Sequence, residues 1–307
     1  MGTPDFAVAT LEALVENDYN IVGVITAPDK PAGRGRKLNE SAVKQYAKEK
    51  GLYIMQPTNL KADSFIEELT ALQANLQIVV AFRMLPKVVW EMPKYGTFNL
   101  HASLLPNYRG AAPINWAIIN GETKTGVSTF FIDEKIDTGE MILQKEIPIK
   151  NDENAGSLHD KLMCLGSELV IETVSLIAEG EVNTTPQPND VEMKSANKLN
   201  KDNCKIDWND HIDSIYNKVR GLNPYPAAWC ELKNDGESLD VKIYDADKEI
   251  IKHKYDIGTV ITSKKELKVA VKDGYINIKE IKLPGKRKMD SKSLLNGYNF
   301  DEKAKML

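Results

Sequence analysis

The stretch FNLHAS, residues 98–103, contains the side chains of this sequence that are best suited to catalysis. Asn99 and His101 are two residues apart in a run of strand composition, so both side chains project from the same face. A Ser-Leu-Leu-Pro turn follows at once, and α/β proteins hold ligands at this edge of their sheets. A single histidine is often structural, so this pair alone leaves a catalytic and a structural interpretation open.

A carboxylate is available in IDEKIDTGEMI, residues 132–142, where Asp137-Thr138-Gly139 forms a loop between two strand-like runs. An acidic turn by itself is typical of a solvated surface. Together with Asn99 and His101, however, Asp137 completes a set that can move an acyl group onto an amine. The amide donates to the developing oxyanion, the imidazole holds that oxygen or accepts a proton, and the carboxylate orients the ring and assists proton removal.

No nucleophile signature accompanies these residues. A G-x-S-x-G elbow and a reactive-cysteine pattern are both missing from the sequence, and Cys164 falls within a leucine stripe. We therefore expect direct attack of an amine on the acyl carbon, without a covalent enzyme intermediate.

A basic loop lies near the N-terminus, in APDKPAGRGRKL, residues 27–38. Its cations, interspersed with proline and glycine, are Lys30, Arg34, Arg36 and Lys37. The loop lacks the spacing of a phosphate-binding P-loop. Arg-Gly-Arg on a flexible loop is typical of an arm that reaches into a nucleic-acid groove, whereas a solvated turn is the alternative.

The elements that position these residues alternate between helix and strand. This order predicts an α/β fold with an open, mainly parallel, Rossmann-like sheet. The predicted helices are 5–16, 40–50, 63–73, 112–120 and 157–179, and the predicted strands are 21–26, 53–56, 76–82, 96–103, 126–133 and 141–149.

The composition becomes polar and rich in proline and asparagine after Gly180. We therefore predict a catalytic domain at 1–180, a linker at 181–205 and a C-terminal domain at 206–307. A helix at 211–222 and five short strand-like runs predict a small β-barrel in the last of these. Such modules often contact oligonucleotides, and a packing domain without a ligand is the alternative.

Composition and charge exclude several classes of protein. The chain has 307 residues, 42% hydrophobic and 27% charged, and no apolar run of membrane-spanning length. Residues 1–17 contain three acids and no basic residue, which argues against a secretory signal and favours a cytoplasmic protein. Three cysteines without CxxC spacing predict no disulfide framework and no metal site. Residues 1–200 carry a net charge of −7 and residues 201–307 carry +3.

Five stretches, in order over nearly the whole chain, together resemble the methionyl-tRNA formyltransferase family. They are GTPDFA (2–7), PDKPAGRGRKL (28–38), FNLHASLLPNYRGAAPI (98–114), IDTGEM (136–141) and GLNPYPAAW (221–229). The resemblance implies transfer of a formyl group from 10-formyltetrahydrofolate to the α-amino group of initiator methionyl-tRNA, without a metal. It also implies a monomer with a Rossmann-like formyltransferase domain and a C-terminal OB-like domain that supports the tRNA.

The resemblance assigns roles to particular residues. The implied catalytic residues are Asn99, His101 and Asp137. The implied folate-binding residues are Ser103, Leu104, Leu105 and Pro106, with Arg83 and Leu85 from the loop after the fourth strand of the family's fold. The implied tRNA-binding residues are Lys30, Arg34, Arg36 and Lys37. Two positions depart from the family: Ala81-Phe82-Arg83 replaces its common Ala-Tyr-Gly, and Tyr225 replaces a tryptophan.

Other functions remain open at this point. The SLLPxYRG pattern is shared with formyltransferases that act on glycinamide ribonucleotide or on amino sugar nucleotides. The glycinamide enzyme would lack a domain after residue 200, and the basic loop argues against the sugar enzyme. A non-enzymatic RNA-binding protein would carry a disrupted trio, and here the trio is intact.

The opening MGTPDF reads as a helix start that should follow a strand, because Gly2-Thr3-Pro4-Asp5 combines a turn residue, a cap and a first-turn proline. In the resembling family a short apolar strand runs into this turn. We therefore expect an apolar strand upstream of Met1, in the interior of the sheet, that this sequence lacks.

Overall fold

The computed structural model describes residues 1–32, 37–188 and 193–307. The helices are α1 (Asp5–Glu16), α2 (Ala42–Glu49), α3 (Asp63–Ala71), α4 (Lys87–Trp90), α5 (Pro113–Ile119), α6 (Ala155–Glu179), α7 (Ile212–Leu222) and α8 (Ser291–Leu295). The first ten strands are β1 (Val24–Ile25), β2 (Lys30–Ala32), β3 (Lys37–Asn39), β4 (Ile54–Met55), β5 (Gln77–Val80), β6 (Thr97–His101), β7 (Arg109–Gly110), β8 (Lys124–Phe131), β9 (Met141–Pro148) and β10 (Ser195–Ala196). The remaining strands are β11 (Ala228–Asn234), β12 (Glu237–Ile250), β13 (Val260–Thr262), β14 (Leu267–Val271), β15 (Gly274–Lys282), β16 (Met289–Asp290) and β17 (Lys305–Met306).

The chain forms two compact units that no single cut in the sequence separates. The first comprises Met1–Gly110, Thr125–Ile147 and His159–Ser195, and the second comprises Ala111–Lys124, Pro148–Leu158 and Ala196–Leu307. Two segments before residue 159 join the second unit, in part because α5 packs against α7. This division differs from the predicted limits 1–180, 181–205 and 206–307, which stay a prediction about domains along the sequence.

The sheet of the first unit confirms the predicted Rossmann-like arrangement. β1 pairs with β4 and β5 pairs with β6, in both cases parallel, while β8 joins β6 antiparallel. Met1 and Gly2 lie between the two parallel pairs, because the Gly2 amide donates to the Ile25 carbonyl at 3.0 Å and the Val80 amide donates to the Met1 carbonyl at 2.9 Å. The order is therefore β4, β1, residues 1–2, β5, β6, β8 and β9.

A cavity of about 370 Å³ interrupts this sheet next to Met1. Residues 20–25 line one side of it and residues 74–78 the other, so these two segments do not pair with each other there. The Met1 amino group is partly buried and donates to the Ile78 carbonyl at 2.7 Å. Burial lowers the pKa of this amino group from 8.0 to about 5.

Thr10 and Gln77 also line this cavity. The Oγ1 atom of Thr10 and the Nε2 atom of Gln77 are buried and have no hydrogen-bond partner among the described residues. The run 21–26 was predicted to be a strand, yet only Val24 and Ile25 form one. Residues 21–23 have cavity rather than backbone on one side, and a strand needs a partner for its ladder.

Helices cover the faces of this sheet with the apolar stripes that the sequence contains. α1 buries Phe6, Ala7 and Leu14, which follow helical spacing. Within α6, Leu162 and Leu169 are fully buried, and a Cβ at the intervening Gly166 would lie 2.8 Å from the Leu100 side chain of β6. This close contact sets the distance between α6 and β6, the strand that carries the predicted catalytic pair.

The second unit contains the predicted OB-like barrel. Its antiparallel sheet runs in the order β13, β14, β15, β12, β11 and β17, with β16 pairing on β15. The Met306 amide donates to the Gly258 carbonyl at 2.8 Å, and Thr259 bridges to Lys305, so the two ends of the sheet meet and nearly close the barrel. Its apolar core includes Ile212, Ile215 and Val219 of α7. Among the described residues, no helix combines the length and apolarity needed to cross a bilayer.

Candidate active site

Strand β6 presents the predicted catalytic pair by simple alternation. Phe98 and Leu100 are 0% and 3% exposed and form core, whereas Asn99 and His101 project from the opposite face. Asn99 is half-buried, and its side-chain amide has no hydrogen-bond partner among the described residues. The amide is therefore free to donate to a ligand.

A backbone carbonyl selects one tautomer of the neutral His101 ring. Nε2 lies 2.8 Å from the Tyr108 carbonyl oxygen, and a carbonyl only accepts, so Nε2 carries the hydrogen in the neutral ring. The Nδ1 lone pair then faces the Asp137 carboxylate, with 3.8 Å between Nδ1 and Oδ2. The side chain of His101 is only 8% exposed. The ring is thus a buried proton acceptor directed at a carboxylate.

Asp137 lies at the tip of a loop, residues 132–140, that joins β8 to β9. The Gly110 amide donates to Asp137 Oδ2 at 3.0 Å, which supports the negative charge of the carboxylate. At Gly139 the backbone of the loop turns back so closely that a Cβ would overlap the Phe131 carbonyl oxygen. Glycine is required there by space, not by backbone angle.

Three residues around the site have a left-handed backbone that is rare outside glycine. Ala81, Tyr108 and Asp137 have φ values of 47°, 61° and 55°, and they account for three of the seven such non-glycine residues that the structure describes. Each such position costs about 1–3 kcal/mol, and such residues cluster where function requires a particular geometry. The strain at Tyr108 and Asp137 serves to aim a carbonyl at His101 and a carboxylate at its ring.

Polar side chains hold the backbone carbonyls of the turn that is predicted to bind folate. The Ser103 hydroxyl donates to the Asn107 carbonyl at 2.7 Å, and the Ser128 hydroxyl donates to the Ser103 carbonyl at 2.6 Å. Gln144 donates to the Leu105 carbonyl at 3.1 Å. Ser103 and Leu105 are buried, so the surface of this turn that is open to a ligand belongs to the half-buried Leu104 and Pro106.

The two other predicted folate-binding residues follow the carboxyl end of β5. Leu85 is 6% exposed and packs in an apolar cluster with Ile25 and Val89. Arg83 is exposed, and its guanidinium donates to the carbonyls of Thr58, at 3.0 Å, and Pro57. Both residues border the edge of the sheet where the catalytic pair lies, but Leu85 presents little surface to a ligand.

The predicted tRNA loop is the connection of a β-hairpin formed by β2 and β3. Lys30 is exposed; Arg34 and Arg36 lie outside the described residues, as does the side chain of Lys37. Lys44 of α2 is paired with carboxylates on both sides of the hairpin, Asp29 just before β2 and Glu40 just after β3, the latter at 3.2 Å. These hydrogen bonds lower the pKa of Asp29 and raise that of Lys44.

Among the described residues, no cluster of three or more His, Cys, Asp or Glu side chains could hold a metal ion. Several residues that support the site were not predicted from the sequence, namely Ser128, Gln144, Gln187, Arg109 and the carbonyl of Tyr108. Tyr108 and Arg109 had a signal in the sequence, the motif NYRG at residues 107–110. Ser128, Gln144 and Gln187 had none, because their contacts join distant parts of the chain.

Known proteins resemble this chain over its full length. Residues 1–174 match the family model "Formyl transferase" and residues 198–299 match "Formyl transferase, C-terminal domain". A protein named methionyl-tRNA formyltransferase from Flavobacterium johnsoniae is 62% identical over 306 residues, which cover 100% of this chain and 97% of the relative. Its namesake from Bacteroides fragilis is 54% identical over 311 residues, which cover 100% and 96%.

Solved structures share the fold at lower identity. One is WlaRD, a sugar 3N-formyltransferase crystallised with dTDP and 5-N-formyl-THF, with a TM-score of 0.65, 20% identity and coverage of 93% of this chain and 97% of that one. Another is an N-formyltransferase from Helicobacter canadensis in complex with folinic acid and dTDP-3-aminofucose, with a TM-score of 0.65, 21% identity and coverage of 90% and 96%.

These two likenesses establish the architecture of the fold, and the sequence relatives establish the family. The family models together match most of the chain, and relatives above half identity extend from end to end. The chain belongs to the formyl transferase family and, within it, to the methionyl-tRNA formyltransferases.

Proposed function

We propose that Asn99, His101 and Asp137 catalyse the transfer of the formyl group of 10-formyltetrahydrofolate to the α-amino group of initiator methionyl-tRNA. The observation that carries this proposal is the pairing of an unoccupied amide donor with a buried His–Asp pair on one edge of the sheet. Family membership supplies the reaction and the substrates.

Asn99 provides the electrostatic part of the catalysis. When the amine attacks the formyl carbon, negative charge develops on the formyl oxygen, and a donor already aimed at that position stabilises it. The Asn99 amide has no competing partner among the described residues, so it does not have to break a bond to do so. Loss of one such donor costs about 3 kcal/mol in the barrier.

His101 and Asp137 provide the proton transfer. The attacking amine must lose a proton, and the Nδ1 lone pair of His101 and the carboxylate of Asp137 face each other across 3.8 Å. A proton taken by either group is shared with the other, while the Gly110 amide keeps the carboxylate in place. The nitrogen that leaves the formyl carbon gains a proton in exchange, so the two nitrogen atoms end the reaction with their charges balanced.

The folate co-substrate supplies the activated formyl carbon. We propose that it binds along the edge formed by the carboxyl ends of β5 and β6. The half-buried faces of Leu104 and Pro106 offer apolar contact there, next to the unpartnered Asn99 amide. Ser103 and Leu105 hold the turn, and Arg83 and Leu85 shape the adjacent wall.

The basic hairpin and the barrel are the proposed tRNA contacts. Lys30 is exposed, and Arg34, Arg36 and Lys37 follow it in a segment whose ends are anchored through Lys44. Lysine and arginine on such a loop bind phosphate groups and release counterions. We propose further that the protein acts as a monomer in the cytoplasm.

The test is formyl transfer onto charged initiator tRNA, measured beside an amino sugar nucleotide and glycinamide ribonucleotide as acceptors. We expect rapid transfer to the tRNA and none to the two nucleotides. The Asn99→Ala variant should lose about 100-fold or more in kcat while still binding tRNA. The exposed Asn17→Ala, at the end of α1, serves as the matched control and should retain full kcat. Preference for either nucleotide acceptor would refute the proposal.

A second test concerns the tRNA contact. Arg34→Ala should raise the KM for tRNA and leave folate binding unchanged. The slope of log tRNA affinity against log salt concentration should fall by about one, as expected for the loss of one phosphate contact. An equal loss of activity with small amine acceptors would show that Arg34 does not act through tRNA.

A further inference from the structure

We propose that Gln187 is a positioning residue for Asp137, and that Arg109 in turn orients Gln187. The inference deepens the proposed function, since it rests on a catalytic role for Asp137. Gln187 lies in the segment that follows α6, far from the loop in sequence, and the predicted linker would have given it no role.

The Gln187 amide group spans the catalytic loop. Its Nε2 donates to the Asp137 carbonyl at 3.1 Å and to the Gly139 carbonyl at 2.8 Å. The residue is 6% exposed, so few waters could replace it. Both amide hydrogens are thus used to hold the backbone on either side of Thr138.

Arg109 fixes which end of the amide faces the loop. Its Nε and Nη2 donate to Gln187 Oε1 at 3.1 and 2.7 Å. A guanidinium has no acceptor, so the atom in front of it must be the amide oxygen and the NH₂ group must point to the loop carbonyls. A flipped amide would place NH₂ against the guanidinium and oxygen against two carbonyls, which is repulsive at both ends.

An open cleft borders the loop on the side of Gln187. It is lined by residues 131–135, residues 138–140, Arg109, Pro186 and Gln187. Asp137 itself has a left-handed backbone, which relaxes unless the surroundings hold it. Hydrogen bonds from Gln187 therefore restrain the position of the carboxylate.

The dipeptide Arg109-Gly110 consequently acts on Asp137 in two ways. Gly110 holds the carboxylate directly through its amide, and Arg109 holds the backbone of the same residue through Gln187. A change in either contact would move Oδ2 relative to His101 Nδ1 without removing a reacting group.

The decisive variant is Gln187→Glu. The glutamate has the same shape and keeps the Arg109 pair, but it offers an oxygen in place of NH₂ to the two loop carbonyls. We expect kcat to fall about 30-fold, since a small misplacement of a catalytic group has effects of this order, while both KM values change less than about threefold. Thr184→Val is the matched control. It removes a hydrogen bond between the same two segments, from Thr184 to Glu140, and should leave kcat unchanged.

A double-mutant cycle separates positioning from general structural support. In an Asp137→Asn background, Gln187→Glu should change the residual kcat less than about twofold, because the carboxylate it positions is already gone. A full 30-fold loss in that background, or a fall in Tm that accounts for the loss of activity, would overturn the proposal, as would a Gln187→Glu enzyme with normal kcat. If Asp137→Asn itself retains full kcat, the catalytic role of Asp137 fails instead.

Discussion

Two places in the first unit depart from a regular sheet, the surroundings of Met1 and the loop that carries Asp137. Around the loop, specific hydrogen bonds replace the missing ladder partners: the Gln187 side chain donates to two carbonyls, and the Gly110 backbone amide donates to the carboxylate. Around Met1, a cavity of about 370 Å³ remains. Beside it lie the partly buried Met1 amino group and two buried polar atoms that have no hydrogen-bond partner among the described residues.

The irregular backbone therefore affects the reaction at one of these places and the free energy of unfolding at the other. At the loop it is held by specific hydrogen bonds, and changes there should alter the reaction. At Met1 the cavity leaves the backbone with little packing around it, and changes there should alter the free energy of unfolding. Activity and stability should therefore respond to separate sets of substitutions.

The largest effect is expected for Gly139→Ala. The added Cβ would overlap the Phe131 carbonyl oxygen, so the loop must shift and carry Asp137 away from His101. We expect kcat to fall about 1,000-fold, equivalent to about 4 kcal/mol. Single-turnover formyl transfer to tRNA measures it. Gly297→Ala, where a Cβ meets nothing within 4 Å, is the control and should be neutral. A kcat within tenfold of normal would show that the loop tolerates displacement.

The next effect concerns pH and the Met1 amino group. Its pKa is about 5 in the folded chain against 8.0 ordinarily, so between these values the unfolded chain binds the extra proton. Its contribution to stability is therefore complete above pH 8 and declines as the pH falls towards 5, by about 4 kcal/mol in total. Urea unfolding at several pH values measures the change. The same chain with an acetylated Met1 amine should lack this component, and an identical pH profile would contradict the assignment.

A smaller gain in stability is expected from filling the cavity. A short apolar extension added before Met1 could enter the gap between residues 20–25 and 74–78 as a parallel strand. Each buried side chain contributes about 1.5–3 kcal/mol and each ordered residue costs about 1–2, which leaves about 2 kcal/mol for several residues. Urea unfolding at pH 8.5 measures it against a Gly/Ser extension of equal length. Equal stability of the two chains would show that the gap does not accept a strand, and kcat should be the same for both.

The smallest effect is expected for Lys44→Met. This substitution removes the cation that pairs with Asp29 and Glu40 at the two ends of the basic hairpin, while it keeps the length of the side chain. We expect the KM for tRNA to rise about fivefold because the hairpin is less ordered before binding. Steady-state kinetics with tRNA measures it. Lys50→Met, at an exposed pair with Glu49, is the control. A change in the folate KM would place the effect elsewhere.

The sequence predicted most of the fold because its periodicity is local information. The helix at 5–16 has the predicted bounds, and the alternation around Asn99 and His101 gave their common face. The strand at 21–26 was predicted too long, since pairing depends on a neighbour that periodicity does not reveal. The segment after α6 was predicted as part of a linker for the same reason.

The sequence predicted the candidate reacting groups of the site, but it did not predict the residues that hold them in position. Asn99, His101 and Asp137 were singled out by residue type and position, and their catalytic roles stay a prediction until the variants are measured. Gln187 could not be found, because its contact with the loop joins residues about fifty positions apart and leaves no local pattern. Leu85 and Leu105 were predicted to bind folate from the motif, yet both are buried.

The carbonyl of Tyr108 has one more consequence, for what changes in His101 during a reaction cycle. With Nε2 permanently committed to that carbonyl, the neutral and protonated rings differ by one proton on Nδ1 alone. In the proposed mechanism, the imidazole would accept and release a proton at Nδ1 alone, so no ring flip would be needed to return it to its starting state. Each proposed cycle would begin from the same ring orientation, without a resetting step at this residue.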